Sequence, residues 1–506
     1  MKGIIVWGTT SDAGKSFIVT GLCRALSNRG YKVAPFKAQN MSNNSYVTLS
    51  GHEIGRSQGM QAEACRVEPT VHMNPVLLKP RSDRRAEVLI QGKSMGNPSA
   101  KSYRRDFFSV AEGAMAESLD ELKNEYEYII MEGAGSPAEV NLMDKDLANL
   151  KAAELADVPA ILVGDIERGG VFASLVGTME LLPPEHQQRV ECLIVNRFRG
   201  DPELFIDGKK WLEEKTGSAV HVFPKLEISM EKEDSLSLPE IEKRGYKPGA
   251  QLDIGVVHFP YLSNYTDVEP LLAEKDLSLR IIRKPEDWGD PDVVLLPGTK
   301  STFADLHAIT QTGVGDLIKG HVEQGGILFG ICGGYQIMGE KLIDKEGTET
   351  GVIGKEEPGL SFLPFVTSFI STKTTRRKPG LFTHASGQSF PLDGFEIHLG
   401  STLVDRGNEP PFMVEANGNH DGVYAKDGQI IGTYLHHVFH NDDWRTWWLN
   451  QLRIKKGIPV QEKVSYTKIR EDQYEVAAEA IEQYLDLDKL INVMKKNENA
   501  SKGGAI

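Results

Sequence analysis

Cysteine is scarce in this chain: 506 residues contain four, at positions 23, 65, 192 and 332. They lie far apart and form no C-x-x-C pair, which excludes a disulfide framework and a thiolate metal site. Long apolar runs are also missing. No stretch approaches the ~18 residues of a membrane span, and the apolar part of MKGIIVWGTT is too short for a signal peptide. Positive charge is in deficit, with a formal balance of −14, which argues against a general nucleic-acid binder. Repeats and low-complexity tracts are absent. What remains, 40% hydrophobic and 25% charged residues, is ordinary for a soluble protein. The length accommodates two or three domains. A reducing cytoplasm is the expected setting, and small molecules, not nucleic acid or membrane, are the expected partners.

In the first half, short β-branched runs alternate with helical patterns. Strands are predicted at Gly3–Trp7, Tyr31–Phe36, Tyr128–Met131, Pro159–Val163 and Cys192–Val195. That alternation predicts a parallel α/β sheet covered by helices, with ligands at the carboxyl ends of the strands. GTTSDAGKS, Gly8 to Ser16, follows the first strand. A glycine-rich loop that opens a helix with Lys-Ser is a phosphate cradle: Lys15 neutralises oxygens and the Ser16 hydroxyl can hold Mg²⁺. Five residues separate Gly8 from Gly14, so the spacing departs from the usual P-loop. Lys37, in FKAQNMSNNS, is a candidate second phosphate contact. Glu132 ends an apolar run, where a bare carboxylate is costly, and a divalent cation would neutralise it. Asn196 stands where it could read an adenine edge. Asn40, Asp146, Asp165 and Arg168 are candidates for a substrate-facing loop, although an acidic residue such as Asp146 at a helix start also serves as a dipole partner. The cations of KPRSDRR, Lys79 to Arg85, are read equally as a solvated surface or as an anion receptor.

Met230–Gln251 reads as a linker, and a second α/β run follows in LDIGVVHF, LSLRIIR, DVVLLPGT and GGILFGIC. Cys332 stands in FGICGGYQIMG. A G-x-C-x-G turn after a strand lifts a sulfur clear of the sheet, as the G-x-S-x-G elbow lifts a serine. A buried small hydrophobe is the usual fate of a lone cysteine, so the reading needs partners. GTYLHHVFHND delivers His436 or His437 from the end of an apolar run as a base. Backbone N–H groups at Gly333 and at the Pro-Gly turn of Gly298 could serve an oxyanion.

These motifs carry a resemblance. LLPGT, GILFGICGGYQIMG, GFEIHLG and GTYLHHVF resemble a class I, triad-type glutamine amidotransferase. GTTSDAGKS with its downstream acids resembles the dethiobiotin-synthetase-like P-loop family. Together with FKAQNMSNNS, NPVLLKP, MEGAGSPAEVNL, DIERGGVFAS and NRFRGD, the chain resembles the cobyric acid synthase (CobQ-type) family of cobalamin biosynthesis. The related cobyrinic acid a,c-diamide synthases carry a PDYIDP-like segment that is absent here. A switch or partitioning ATPase would share a deviant P-loop but has no use for a Cys–His pair. The resemblance implies two three-layer α/β domains: a P-loop NTPase-like parallel sheet at 1–229, then, after a linker at 230–251, a flavodoxin-like amidotransferase sheet at 252–493, with a disordered tail at 494–506. It implies Cys332 as nucleophile and His436 as base. Gly8, Thr9, Gly14, Lys15 and Ser16 become the ATP loop, with Glu132 on Mg²⁺; with Thr10, Lys37 and Asn196 added from the residues themselves they form the expected ATP site, and Ser16 joins Glu132 on the metal. It further implies glutamine and a corrinoid acid as substrates. Many such amidotransferases place Glu two residues after the histidine, but here Val438 and Phe439 occupy those positions. The sequence leaves open what orients the imidazole; weak orientation would suit a glutaminase site that stays slow until its partner site is loaded.

Overall fold

The computed structural model describes residues 1–82, 85–96, 107–226, 238–404 and 409–503. It divides into two compact units: Met1–Ser42 with His52–Lys232 and Ile469–Ile506, and Asn43–Gly51 with Glu233–Lys468. Among the described residues no helix is long and apolar enough to cross a membrane.

The first unit is built on six strands in the order Ala219–Pro224, Val190–Phe198, Ala160–Asp165, Gly3–Gly8, Tyr128–Glu132, Val33–Phe36, all paired in parallel. Every residue of GIIVWG, YIIME and AILVGD is buried. That is why these runs read as continuous apolar stretches with no alternation: helices cover both faces. The chain order reverses across Gly3–Gly8, so the crevice at its carboxyl end is flanked by the ends of the two neighbouring strands, at Glu132 and Asp165. The helix Lys15–Asn28 leaves from that crevice.

The second unit has a sheet ordered Leu277–Ile282, Leu252–Val257, Val293–Leu296, Ile327–Ile331, Ile430–Thr433, Val423–Ala425. Its first five strands follow the 2-1-3-4-5 order of flavodoxin-like folds, and all pair in parallel. The last strand is an antiparallel edge. Both units are thus α/β, as the sequence predicts. Between the fourth and fifth strands the chain adds mostly antiparallel sheets that the motif reading passed over. The largest pairing there joins Phe365–Arg377 to Phe395–Val404.

Three boundaries differ from expectation. The helices Tyr466–Tyr484 and Leu487–Gly503 fall almost wholly in the first unit, not in a domain ending at 493. Tyr474, Ala478, Ile481, Leu485, Leu490, Ile491 recur at helical spacing and pack in one cluster with Ile18, Val19 and Leu22. Gly21 permits this approach, since a Cβ there would meet the Ala477 carbonyl at 2.7 Å. The expected disordered tail continues this helix to Gly503, and Met494 is fully buried; residues 504–506 lie outside the described part. Within the expected linker, residues 230–237 lie outside the described part, while Leu238–Gly245 is a helix. It buries Ile241 and pairs Glu242 with Arg283.

Candidate functional site

Each unit gathers chemistry at the carboxyl ends of its own strands. In the first, the chain turns out of Gly3–Gly8 and enters the helix at Gly14, whose φ of 108° only glycine adopts without strain. Thr9 donates its N–H to the Val163 carbonyl at 2.9 Å. Lys15 Nζ donates to the carbonyls of Thr10 and Gly135, both at 3.0 Å. A Cβ on Gly8 would crowd that ammonium at 3.0 Å. Ser16 Oγ donates to Glu132 Oε1 at 3.0 Å, Lys37 Nζ reaches the same oxygen at 3.1 Å, and Gln61 Nε2 donates to Oε2 at 2.5 Å. Burial alone would raise the Glu132 pKa, but Lys37, Gln61 and Lys15 outweigh it and hold the carboxyl below its usual range.

That carboxylate and the Ser16 hydroxyl converge on one point. Two protein oxygens suit Mg²⁺, which keeps waters and takes phosphate oxygens for the rest of its shell. No group of three His, Cys, Asp or Glu side chains among the described residues could hold a metal, so a cation held by protein alone finds no cage here.

The other expected residues of this unit serve mainly as supports. Asn196 Nδ2 donates to the Ala13 carbonyl at 3.0 Å and lies where any Cβ on Gly14 would collide with it. Its amide therefore supports the loop at Gly14. Asp146 accepts the N–H groups of Ala148 and Asn149 at 3.0 and 2.9 Å. Asn149 in turn holds both the N–H and the carbonyl of Ala134, so Asp146 buttresses the EGAGS turn. Burial nevertheless raises its pKa. Asp165 is paired with Arg197 at 2.6 Å. Arg168 is half exposed and reaches Asp12 of the phosphate loop at 3.4 Å. Asn40 is buried and donates to Gln58 at 2.9 Å. In KPRSDRR, Lys79 has no exposed surface and is paired with buried Glu53, so it is not part of a solvated basic patch. Residues 83–84 of that cluster lie outside the described part.

In the second unit, Ile327–Ile331 ends in Cys332 with φ 51° and ψ −109°, and a short helix starts at Gly333. A non-glycine residue held there marks a strained elbow. Cys332 N–H donates to the Thr433 carbonyl at 2.8 Å, which ties the elbow to the neighbouring strand end that delivers His436. The Cys332 sulfur is close enough to act electrostatically on the His436 ring. Cys332 Sγ also lies 3.5 Å from the Ile397 carbonyl. Gly298 lies against the ring, because a Cβ there would sit 2.9 Å from His436 Cε1, and Gly333 packs on Thr299 next to it. The sulfur is buried at 5% exposure, but it is buried beside an imidazole.

The carboxylate that the sequence leaves open comes from a distant segment. Asp267 Oδ2 lies 2.7 Å from His436 Nδ1, and Asp267 Oδ1 accepts the His437 N–H at 2.8 Å. Both side chains are 1% exposed. Burial disfavours a charged ring, yet the Asp267 carboxylate and then the Cys332 sulfur outweigh it and push the His436 pKa up to about 10. His437 turns away from the sulfur: its φ of 66° and its stacking on His440 at 4.0 Å place it behind the site. His398 bonds the Gly400 carbonyl through Nδ1 at 2.6 Å and stacks on Tyr434. Asp267 was missed because it carries no motif spacing to His436. Its one signal is that SNYTD follows the strand Leu252–Val257 at the same sheet edge as Cys332.

Comparison with known proteins agrees with both halves. Residues 4–237 match the model described as CobQ/CobB/MinD/ParA nucleotide binding domain, and residues 253–444 match the CobB/CobQ-like glutamine amidotransferase domain. Among curated relatives, a cobyric acid synthase of Anoxybacillus flavithermus is 43% identical over 487 residues, covering 96% of this chain and 95% of that one. One of Geobacillus thermodenitrificans is 42% identical over 496 residues, covering 97% and 98%. One of Nostoc sp. is 43% identical over 491 residues, covering 96% and 99%.

Proposed function

The chain belongs to the cobyric acid synthase family and is a glutamine-dependent ligase of cobalamin biosynthesis, and from that premise we propose which bonds its two sites make. The acceptor is adenosylcobyrinic acid a,c-diamide, and its b, d, e and g carboxylates become amides. A carboxylate is a poor electrophile until its oxygen becomes a better leaving group. ATP bound on Gly8–Ser16 transfers its γ-phosphoryl group to a peripheral carboxylate, giving an acyl phosphate and ADP. Lys15 and Lys37 lie where they neutralise the charge in transfer. Ser16 and Glu132 would hold Mg²⁺, which shields phosphate charge when bound.

Nitrogen comes from the second unit. The Cys332 thiolate attacks the glutamine side-chain amide carbonyl, and the N–H groups of Gly298 and Gly333 receive the oxyanion. His436 gives its proton to the departing ammonia, leaving a thioester that water hydrolyses to glutamate with His436 as base. Asp267 holds the Nδ1 proton and so keeps Nε2 toward the sulfur, as the aspartate of a serine-protease triad does. Ammonia then displaces phosphate from the acyl phosphate.

The observation that carries this reading is the Cys332–His436–Asp267 line in a chain that also holds a phosphate loop. The test is mass spectrometry of the acceptor after incubation with ATP, Mg²⁺ and glutamine, counting replacements of OH by NH₂. Replacement at b, d, e and g supports the assignment. Replacement only at a and c of a cobyrinic acid acceptor would overturn it in favour of a diamide synthase.

A further inference from the structure

The segment Asn43–Gly51 packs within the second unit although the chain on either side of it, to Ser42 and from His52, belongs to the first. Its tip closes on itself, Gly51 donating to the Thr48 carbonyl at 2.9 Å. Two of its residues reach the surroundings of Cys332 and His436. Val47 has no exposed surface and forms a small cluster with Phe395 and Ile397. Phe395 stacks on the His436 ring at 5.2 Å and accepts the His436 N–H at 2.8 Å, and Ile397 supplies the carbonyl beside Cys332 Sγ. Ser45 donates its backbone N–H to Asn264 Oδ1 at 3.1 Å, and Asn264 Nδ2 lies 3.3 Å from His436 Nε2.

That chain of contacts has a polarity. A backbone N–H can only donate, so Ser45 takes the oxygen of the Asn264 amide and leaves the NH₂ group facing the imidazole. A donor opposite Nε2 is satisfied only by a ring with no proton on that nitrogen. With Nδ1–H committed to Asp267, the Asn264 NH₂ group opposes the Nε2 proton that the Asp267 carboxylate and the Cys332 sulfur favour, and so disfavours the imidazolium–thiolate pair. Turned over, the amide would offer Oδ1 to Nε2–H and favour the reactive pair, but its NH₂ group would then meet the Ser45 N–H. The amide can turn only when Ser45 withdraws.

We propose that Asn264 is the positioning residue that holds the glutaminase pair at rest, and that the Asn43–Gly51 excursion, which sets the Asn264 amide through Ser45, is the element that releases it. The same stretch of chain carries Lys37, whose ammonium lies on Glu132 in the first unit, so rearrangement of that loop on nucleotide binding has a covalent route to Ser45. The excursion makes ammonia release wait for ATP and acceptor. This rests on the Cys332–His436 reading above.

The test compares glutamine hydrolysis by the full chain with and without ATP and acceptor, for wild type, Asn264→Asp, Asn264→Gly and Val47→Ala. Asn264 has φ 52° and ψ 43°, a conformation that Asp and Gly tolerate. Asp keeps the bond from Ser45 and gives Nε2–H an acceptor, whereas Gly deletes both contacts. An unchanged thermal-unfolding profile of the full chain reports that each variant is folded. Wild-type hydrolysis is expected to rise about tenfold or more when ATP and acceptor are added. Asn264→Asp is expected to raise the unstimulated rate toward the stimulated one, so that glutamine consumed exceeds amide formed. Asn264→Gly and Val47→Ala are expected to do the same to a smaller extent. An unstimulated rate that stays level or falls in Asn264→Asp would overturn the inference. Cys332→Ser run in parallel separates the two failures. If it still hydrolyses glutamine, the nucleophile assignment falls. If it is inactive while Asn264→Asp is unresponsive, only this inference falls.

Discussion

The two sites are assembled at opposite distances along the chain. The phosphate site takes its loop, its lysine and its hydroxyl from the contiguous stretch Gly8–Ser16, and the Lys15 bond to Thr10 spans five residues. The proposed glutaminase site takes its three members from positions 267, 332 and 436, and the Asp267–His436 bond spans 169 residues. A contiguous site is written by local backbone requirements, such as the left-handed Gly14 and the helix that follows it. A dispersed site is written by sheet topology, because parallel strands deliver their carboxyl ends to one edge wherever they occur in sequence.

The largest expected effect breaks the comparison at its roots. Lys15→Ala is expected to abolish amide formation from glutamine and from ammonia alike, because the phosphoryl group is no longer placed. Cys332→Ser is expected to lower glutamine-supported synthesis by roughly three orders of magnitude or more while sparing synthesis from ammonia. Parallel assays of phosphate release and amide formation with each nitrogen source check both. If Cys332→Ser kept glutamine-supported activity, the second unit would have another nucleophile.

Next in size is the distant member. Asp267→Asn is expected to reduce glutamine turnover by on the order of a hundredfold to ten-thousandfold with little change in KM, since geometry survives while the tautomer is lost. The pH profile adds a sign. With its pKa near 10, His436 remains an acid far into the alkaline range. Without the carboxylate, its proton is lost closer to the ordinary value, so the alkaline limb of kcat should move to lower pH. Stability follows the same group. A raised histidine pKa contributes stability that is complete below the unfolded value and disappears as pH rises through the folded one. The gap in urea midpoint between wild type and Asp267→Asn should therefore be widest below about pH 6.5 and narrow as pH rises toward the value near 10. A gap that stayed constant with pH would mean that Asp267 holds the backbone at His437 and not the charge on His436.

The same contrast explains what could be read in the sequence. The parallel sheets were legible because buried strands such as GIIVWG are apolar throughout, and Cys332 and His436 stand out as candidates because each follows such a strand. Glu132 announced itself as a carboxylate at the close of an apolar run. Asp267 did not, because Ser263–Asp267 is a polar loop whose burial is imposed by the surrounding fold. Asn196 reads as a base contact, and its bond to Ala13 beside Gly14 was not legible, since a strand end marks only where a side chain emerges, not what it touches. The helices after 466 were assigned to the wrong neighbour for a related reason. An amphipathic stripe shows that a face is buried, not which sheet it is buried against.

That last point gives the smallest and sharpest test of the division between the units. Met494 is fully buried in the cluster that includes Ile18 and Leu22 on the helix behind the phosphate loop. Met494→Ala leaves a cavity in that cluster, at a cost of about 2–5 kcal/mol. If the C-terminal helices belong energetically to the first unit, the variant should lose ATP-dependent synthesis from ammonia on mild heating at a lower temperature than wild type. Glutamine hydrolysis should lose activity at an unchanged temperature, because the second unit keeps its own core around Phe329, Phe412 and Trp444. Equal shifts in both activities would mean that the two cores unfold as one cooperative block, and the difference between local and dispersed sites would then be one of assembly alone, not of stability.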